Sequence, residues 1–284
     1  VNRDITDFLV GGIRAKLNQK ALRALPILLP PFNEQQRIAE ILSSVDASIQ
    51  ATQAVIEQAE RVKRGLMEEL LTGGLGAEAI ARGEVPEGWH ICQLKELCEI
   101  AGEYGANASK EEFNPSLPRY LRITDIKEDG TLNDDVKVSL SIEKSAGYEL
   151  ENGDVLIARS GATVGKSYVY EDADGWCVFA GYLLRFRLDS NLASYKWLRH
   201  VLRTSWYWDW VRDNQRAGAQ PNINSKEYGA MFLLVPPLEI QLGIAEQLDS
   251  LRTLVKVNRD AIAQYQRLKR GLMDDLLTGK VRTV

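Results

Sequence analysis

The chain has 284 residues, of which 45% are hydrophobic and 26% charged, and its formal net charge at pH 7 is −4. This is the composition of an ordinary globular protein, and the length predicts more than one structural unit. No apolar run approaches the roughly 20 residues of a membrane helix, and the N-terminus lacks a signal-peptide layout, so we expect a cytoplasmic protein with no membrane partner.

An internal repeat organises the chain. The stretch KRGLMEELLTG at 63–73 recurs as KRGLMDDLLTG at 269–279, an offset of 206 residues. The same offset, without gaps, extends the match to about residues 12–73 and 218–279. Chance does not produce such a register, so one structural element occurs twice.

Each copy contains a long predicted helix that begins after a Pro-Pro pair. Apolar residues recur at alternating steps of three and four, which is the heptad pattern of a coiled coil. A helix of about 40 residues would be about 60 Å long. A single such helix leaves its apolar stripe in water, so the two copies should pair, antiparallel, with Thr52 near Asn258. The stripe residues are Leu42, Val45, Ile49, Ile56, Ala59, Leu66 and Leu70 in the first copy, and Leu248, Leu251, Val255, Ile262, Tyr265, Leu272 and Leu276 in the second.

Gly65 and Gly271 occupy equivalent positions inside these helices. Glycine costs about 1 kcal/mol relative to alanine in a helix interior. Its recurrence indicates either the shared origin of the two copies or close approach of another helix, and the sequence favours neither.

The segment between the helices has a different character. A Pro/Gly-marked linker at 83–94 leads into short strand and turn signals that continue to Val235, with one helical stretch at 194–211. Residues 1–29 match only positions 207–235, the end of this segment. We therefore predict an α+β protein in which one strand-rich domain is flanked by two long helices forming an antiparallel coiled coil. The predicted segments are a domain remnant at 1–29, the first helix region at 30–75, a linker at 76–88, the strand-rich domain at 89–235, and the second helix region with a tail at 236–284.

Residues 159–170, RSGATVGKSYVY, suggest a phosphate-binding loop at first sight. Gly165-Lys166-Ser167 fits the end of that pattern, but Ser160 stands where its first glycine belongs. A phosphate loop also opens a helix, whereas the residues after Lys166 are typical of a strand. We interpret the segment as a strand-turn-strand with a basic tip, and a phosphate-loop enzyme remains a minor alternative.

Basic residues outnumber acidic ones between positions 185 and 216, although the chain as a whole is acidic. Seven cations against three carboxylates leave a surplus of four, which indicates a local patch suited to nucleic acid. The cations are Arg185, Arg187, Lys196, Arg199, Arg203, Arg212 and Arg216, and the carboxylates are Asp189, Asp209 and Asp213.

Catalytic and metal chemistry have little support. Three cysteines are too few for a disulfide framework, and the spacing of His90, Cys92 and Cys98 matches no zinc motif. Neither His90 nor His200 lies near a nucleophile motif, and no methyl-donor motif is present. We therefore expect no catalytic residue, no metal and no cofactor in this chain.

Four motifs in combination carry a family resemblance. They are Pro-Glu-Gly-Trp at 86–89, Asp-Val-Leu-Ile at 154–157 leading to Gly161 and Gly165-Lys166, Asn-Ile-Asn at 222–224, and a Pro-Pro-x-x-x-Gln-x-x-Ile-Ala start to each helix. With these motifs the chain resembles the specificity subunit of type I restriction-modification systems over essentially its whole length. It departs from the helix-start pattern at Gly243, where the first copy has Arg37, and this glycine weakens the second helix start.

The resemblance implies a division of labour. Such subunits carry two target-recognition domains that each read one half of a split DNA site, held apart by antiparallel spacer helices. This chain would have both spacer helices but one complete target-recognition domain, at 89–235, as a truncated or half-type member. It would be a non-catalytic subunit that binds double-stranded DNA and two DNA adenine methyltransferase subunits, with separate restriction motor subunits in the full complex. Whether a homodimer restores two readers is left open.

Candidate contact residues follow from the chemistry of DNA. Base readout needs side chains such as Arg, Lys, Asn and Gln, while phosphates need only cations and N–H groups. We expect Arg159 and Lys166 to face DNA phosphates, and an alternative role for Asn222 and Asn224 is to cap the short helix after them. The candidate DNA contacts are Arg159, Ser160, Thr163, Lys166, Gln220, Asn222 and Asn224. The candidate methyltransferase contacts are the repeated residues Lys63, Arg64, Gly65, Lys269, Arg270 and Gly271.

One further alternative belongs to another functional class. A coiled-coil adaptor whose central domain binds protein would also combine heptad helices with a folded insert. It predicts no sequence-dependent retention of DNA in a binding assay at controlled salt.

Overall fold

The computed structural model describes residues 28–75, 82–215 and 221–283, together with the single positions Gln19 and Arg23. The chain divides into two compact units. Among the described residues, the helical unit comprises 28–58 with 254–283, and the mixed unit lies within Ala59–Thr253. The predicted domain remnant at 1–29 lies almost entirely outside the described residues.

Long helices begin and end the described chain, with short strands and helices between them. In chain order the elements are α1 (Phe32–Thr72), β1 (His90–Gln93), β2 (Cys98–Tyr104), β3 (Glu111–Glu112), β4 (Arg119–Leu121), β5 (Val138–Ser139), α2 (Ile142–Ser145), β6 (Val155–Ala158), β7 (Ser167–Val169), β8 (Cys177–Phe179), β9 (Leu183–Leu188), α3 (Tyr195–Val201), α4 (Ser205–Asn214), α5 (Ser225–Gly229), β10 (Phe232–Val235) and α6 (Leu238–Leu277).

Helices α1 and α6 have 41 and 40 residues, which corresponds to about 60 Å each at 1.5 Å per residue. Each begins directly after its Pro-Pro pair, where a proline can precede a helix but not continue one. Gly73 follows α1 with a φ of +62°, the left-handed conformation that favours glycine at a helix end. The two predicted long helices are therefore confirmed.

In the helical unit the start of α1 meets the end of α6. The Lys269 ammonium donates to Asp46 Oδ1 at 2.6 Å, and Arg282 Nε donates to Glu34 Oε1 at 2.7 Å. Early residues of one helix meet late residues of the other, so the two run antiparallel as predicted. The apolar residues buried in this unit, Ile38, Val45, Ile56, Val255 and Leu276, include four of the predicted stripe positions.

Thr52 and Asn258, which were predicted to lie near each other, are each hydrogen-bonded within their own helix. Thr52 Oγ1 donates to Ser48 O at 2.8 Å, and Asn258 Nδ2 donates to Leu254 O at 2.8 Å. Both bonds return to a carbonyl four residues earlier in the same helix, so the predicted Thr52–Asn258 pair is not needed to satisfy either donor. The ion pair of Lys269 with Asp46 links the helices instead.

The mixed unit contains three small sheets. Strands β1 and β10 pair antiparallel, from His90 opposite Val235 to Gln93 opposite Phe232. The second sheet has the order β2-β9-β6-β7 with every neighbouring pair antiparallel, and the third has the order β3-β5-β4-β8 with β4 and β8 parallel. The unit is larger than the predicted domain at 89–235 because it includes the adjoining turns of both long helices.

The largest core cluster explains why those helical turns belong to the mixed unit. Met67 and Leu71 of α1 and Leu248 of α6 are buried in the same cluster as Trp197 and Tyr207. Burial of one large apolar side chain contributes about 1.5–3 kcal/mol, so these positions fix the helix ends to the domain.

The predicted helical stretch at 194–211 is two helices, which corrects the sequence analysis. Helix α3 ends at Val201 and α4 begins at Ser205, with Thr204 between them as the N-cap. Its Oγ1 accepts a hydrogen bond from Tyr207 N at 3.2 Å. The apolar periodicity continues across this break, and for that reason the sequence pattern did not reveal it.

Candidate nucleic-acid interface

The topology of the second sheet brings several loops together. Because β2, β9, β6 and β7 are neighbours and all antiparallel, the ends of β2 and β6 and the starts of β9 and β7 lie at the same end of the sheet. The loops leaving these strand ends, together with a later polar segment, form what we call the loop edge. It comprises residues 104–106, 159–166, 180–182 and 221–223.

Two segments of the loop edge that are distant in sequence pair directly. Gly161 N donates to Pro221 O at 2.9 Å, and Ile223 N donates to Arg159 O at 2.9 Å. Between these bonds Ser160 and Asn222 face each other in an antiparallel bridge. The structure therefore brings together Arg159, Ser160 and Asn222, which the sequence placed in two separate candidate loops.

A close backbone contact fixes the other two segments. Ala106 N donates to Phe179 O and Gly181 N donates to Ala106 O, both at 2.8 Å. A Cβ atom on Gly105 would lie 2.4 Å from Phe179 O, so only glycine fits there. Arg159 N also donates to Tyr182 O at 3.0 Å. One backbone network thus joins all segments of the loop edge.

Arg159 occupies the centre of this network. Its guanidinium carbon lies 4.9 Å from the centroid of the Tyr104 ring, within the range of a cation–π interaction. Its Nη1 lies 3.5 Å from Gly181 O, while its Nε is buried without a hydrogen-bond partner. Tyr104 and Tyr182 are 42% and 57% exposed. The loop edge therefore presents an arginine held against the Tyr104 ring, with a second accessible aromatic residue, Tyr182, bonded to it through the backbone.

Sequence reasoning missed Tyr104 and Tyr182. Each is adjacent to a glycine, Gly105 or Gly181, and a glycine beside an aromatic residue at a strand end is a usable signal of close backbone approach. Their proximity to Arg159, however, depends on sheet order, which the sequence did not reveal.

The other candidates in the first loop shape its turn. Thr163 Oγ1 donates to Ser160 O at 3.3 Å, and Lys166 N donates to Thr163 O at 3.0 Å. Lys166 O accepts from Ala158 N at 2.8 Å, and β7 follows immediately. The lysine is followed by a strand and not by a helix, so the phosphate-loop alternative is wrong.

Asn224 caps the short helix α5, the role that the sequence analysis gave as the alternative to a DNA contact. Its Oδ1 accepts from Glu227 N at 3.0 Å, and Glu227 Oε2 accepts from Asn224 N at 2.7 Å, which is a reciprocal capping box at the start of α5. A DNA contact by Asn224 stays a prediction that rests on its amide nitrogen alone. Gln220 lies outside the described residues.

The predicted basic patch at 185–216 is largely internal, which corrects the charge count. Guanidinium groups pair with carboxylates in a fixed planar geometry, and a sequence count does not register distant partners. Lys196 is exposed, and Arg216 lies outside the described residues. The pairs of the buried and half-buried arginines are Arg185 with Glu103, Arg187 with Asp154, and Arg199 with Glu171 and Asp249, while Arg212 pairs with Asp209 on the surface.

Arg203 belongs to this internal set. Its Nε donates to Asp129 O at 3.1 Å. Burial, together with the charges of Arg252 and Arg199, lowers the pKa of Arg203 to about 10. Burial and the charges of Arg203 and Arg252 likewise lower the pKa of Lys63. Arg203 and Lys63 are therefore partly removed from solvent and contribute little positive charge to the surface of the mixed unit.

The six candidate methyltransferase contacts divide into two groups. Lys63 is partly buried and Lys269 is paired with Asp46, whereas Arg64, Gly65, Arg270 and Gly271 are exposed. A Cβ atom added to Gly65 or Gly271 would meet nothing within 4 Å. Close approach of another helix of this chain therefore does not explain either glycine.

The described residues hold neither a group of His, Cys, Asp or Glu side chains placed to bind a metal ion nor a helix long and apolar enough to cross a membrane. Burial raises the pKa of the Cys98 thiol, and of the Cys177 thiol, to about 12. Both thiols are therefore protonated at neutral pH and behave as packing groups.

A strand-rich domain that is built onto turns of two long helices, with a loop edge at one end of its sheet, defines the class of this fold. The chain belongs to the family described as Type I restriction modification DNA specificity domain, whose model matches residues 2–61 and 86–265.

Individual relatives agree with this assignment. The chain is 26% identical over 275 residues to the type I restriction enzyme MjaVIII specificity subunit of Methanocaldococcus jannaschii, covering 94% of this chain and 64% of that one. It is 24% identical to the StySPI specificity subunit of Salmonella potsdam, covering 90% and 57%. The chain thus spans about three fifths of the length of these curated relatives.

Solved structures support the fold. The HsdS subunit from Thermoanaerobacter tengcongensis matches with a TM-score of 0.56 and 22% identity, over 98% of this chain and 68% of that one. The type I restriction-modification system S subunit from M. genitalium matches with a TM-score of 0.60 and 14% identity, over 95% and 68%. The predicted arrangement of long helices and a strand-rich domain is therefore confirmed.

Proposed function

We propose that this chain is a non-catalytic DNA-recognition subunit that reads one half of a split DNA site. The observation that carries the proposal is the loop edge, where Arg159, Ser160 and Asn222 are held together by backbone hydrogen bonds. Family membership and the names of the relatives, which are specificity subunits of type I restriction enzymes, support it. The chain would act on DNA in the cytoplasm.

The rigidity of the loop edge suits sequence recognition. A side chain that reads a base edge must be placed before binding, because ordering it during binding costs about 0.5–1.5 kcal/mol per side chain. The hydrogen bonds of Gly161, Ile223 and Gly181 order the backbone from which these side chains project. Lys166, at the end of the loop, supplies the cation that a phosphate contact needs.

The long helices would act as the spacer that carries the partners. We propose that two DNA adenine methyltransferase subunits dock on this scaffold and bring the methyl donor, and that restriction motor subunits join in the full complex. The exposed repeated positions Arg64, Gly65, Arg270 and Gly271 are the proposed methyltransferase contacts. Their equivalence in the two copies fits two identical partners.

A second recognition domain is proposed to dock at the start of α1. Gln241 is buried and accepts from Ser194 N at 2.8 Å while donating to Pro236 O at 2.9 Å. Its repeat equivalent Gln35 makes the same bond to Pro30 O, at 2.8 Å. Leu29, the equivalent of the fully buried Val235, is 79% exposed.

The start of α1 thus repeats the glutamine-to-proline bond found at the start of α6, but the apolar residue before it is exposed and not buried against a domain. We propose that a homodimer supplies this domain contact, with the recognition domain of a second copy packing there. Mass measurement of the chain alone and with its methyltransferase checks this. A complex with a single copy of this chain and a two-part target would contradict it.

Co-expression with the cognate methyltransferase subunits, followed by mapping of modified adenines across a genome, tests the function. Methylation confined to one defined motif is expected. Methylation without a motif, or none above the level of the methyltransferase alone, would contradict the proposal. The adaptor alternative predicts in addition that the assembled complex retains no DNA duplex in a sequence-dependent way at fixed salt.

A further inference from the structure

The Arg159 side chain differs in its partners from three other arginines of the strand-rich sheets. Arg119, Arg185 and Arg187 each donate to a carboxylate at the distance of an ion pair. Within residues 28–75, 82–215 and 221–283, no ion pair includes Arg159. Among these residues its charge is therefore stabilised by the Tyr104 ring and by Gly181 O, without a carboxylate to neutralise it.

Two polar atoms lie buried without a partner at this point of the loop edge. They are Arg159 Nε and the hydroxyl oxygen of Ser160, a residue that is only 3% exposed. A buried polar group without a hydrogen bond costs about 1–3 kcal/mol. Because both atoms are buried, a ligand at the surface would meet the terminal Nη1 and Nη2 groups of Arg159.

We propose that Arg159 reads a guanine in the DNA half-site and that Tyr104 is the positioning residue that holds its guanidinium plane. This inference rests on the proposed function and names the base that one residue recognises. Arginine can donate two parallel hydrogen bonds to guanine O6 and N7, which is the commonest specific contact in the major groove. Because Nε is buried, the two donors are Nη1 and Nη2.

A base contact accounts for the geometry better than a phosphate contact does. A phosphate needs only a nearby cation, and a solvated side chain with a mobile stem satisfies it. Arg159 is instead held against a ring at 4.9 Å, with Nη1 oriented by Gly181 O at 3.5 Å. A fixed plane is useful where two acceptors have fixed positions, as on a base edge.

The test uses the complex with the cognate methyltransferase subunits and the motif mapped for the wild-type chain. Binding is measured for duplexes in which each guanine of the half-site is replaced in turn by the other bases. With Arg159→Lys, discrimination at one guanine should fall by roughly 5- to 150-fold, the equivalent of about 1–3 kcal/mol, while the other positions keep their preference. Retained preference at every guanine, or a half-site without guanine, overturns the proposal.

Matched variants separate base reading from other effects. Lys166→Ala should weaken binding evenly across sequences and reduce the salt dependence by about one phosphate contact. The same even loss for Arg159→Lys would identify a phosphate contact and overturn the proposal. Arg82→Lys, in an exposed ion pair with Glu84, should change neither quantity. Tyr104→Leu should weaken the preference at the Arg159 guanine, and Tyr104→Phe, which keeps the ring, should restore it.

A second measurement needs no variant. Replacing a guanine by 7-deazaguanine removes the N7 acceptor and leaves base pairing intact. One such replacement should weaken binding of the wild-type complex and should have no further effect on the Arg159→Lys complex. Independent losses from the two changes at every position would refute the inference. Absence of any motif for the wild-type complex would instead refute the proposed function.

Discussion

His200 Nε2 lies 2.9 Å from Asp249 Oδ1, a contact that joins α3 to α6 inside the mixed unit. His200 is 1% exposed, and burial lowers its pKa, against the opposing effect of the Asp249 carboxylate. Asp249 also accepts from Arg199 Nη2 at 3.1 Å. A buried imidazole with a lowered pKa therefore lies at the junction between the strand-rich domain and the second long helix.

We predict that acid weakens this junction. With a folded pKa below its ordinary value of 6.5, His200 binds fewer protons in the folded state than in the unfolded state. The free energy of unfolding should therefore fall as pH drops below about 6.5, and this loss should stop below the folded pKa. Urea unfolding of wild type and His200→Gln between pH 7.5 and 5 measures it. The variant should show a smaller slope, and equal slopes would exclude His200 as the cause.

The sequence predicted the structure best where the signal was local or repeated. The heptad pattern and the Pro-Pro starts act within a few residues, and both long helices form where these signals predict them. Gly73 and Asn224 are likewise local signals, and they lie at a helix end and at a helix start. The internal repeat also predicted that the two long helices pair, because each has the same apolar stripe and the two stripes can be buried against each other.

The sequence was least informative where partners are distant. Arg185 pairs with Glu103 and Arg187 with Asp154, and a count of charges over a window registers neither partner. The position of Tyr104 beside Arg159 likewise requires the strand order β2-β9-β6, which follows from packing and not from periodicity. The basic patch was therefore overestimated and the aromatic part of the loop edge was missed.

Gly105→Ala should damage the loop edge. The added Cβ would lie 2.4 Å from Phe179 O and 2.6 Å from the Ala180 carbonyl carbon, and backbone atoms cannot move aside cheaply. We expect a loss of about 1–3 kcal/mol in unfolding free energy, together with weaker DNA binding as Tyr104 is displaced. Gly243→Ala is the control, because its Cβ would meet nothing within 4 Å and alanine favours the helix. Full stability of Gly105→Ala would show that the backbone contact is not tight.

Asn224→Ala and Asn222→Ala should have opposite consequences. Loss of the Asn224 cap removes the bond from Glu227 N and should cost about 1 kcal/mol of stability. Asn222 lies opposite Ser160 in the loop edge, so its replacement should leave the melting temperature nearly unchanged and alter the methylated motif. Thermal unfolding and motif mapping on the same two variants decide this. A changed motif with Asn224→Ala and an unchanged one with Asn222→Ala would reverse the assignment.

Gly65→Ala tests the proposed methyltransferase contact. Position 65 lies inside α1 in open space, so alanine should raise the stability of the free chain by about 1 kcal/mol. If a methyltransferase helix packs closely there, the added methyl group should at the same time lower the affinity of the complex. Gly243→Ala, which also lies in a long helix with open space around its Cβ, should raise stability without changing that affinity. Calorimetric unfolding of the free chain and titration with the methyltransferase subunit separate the two effects. Unchanged affinity for Gly65→Ala and for its repeat equivalent Gly271→Ala would leave shared origin as the reason for both glycines.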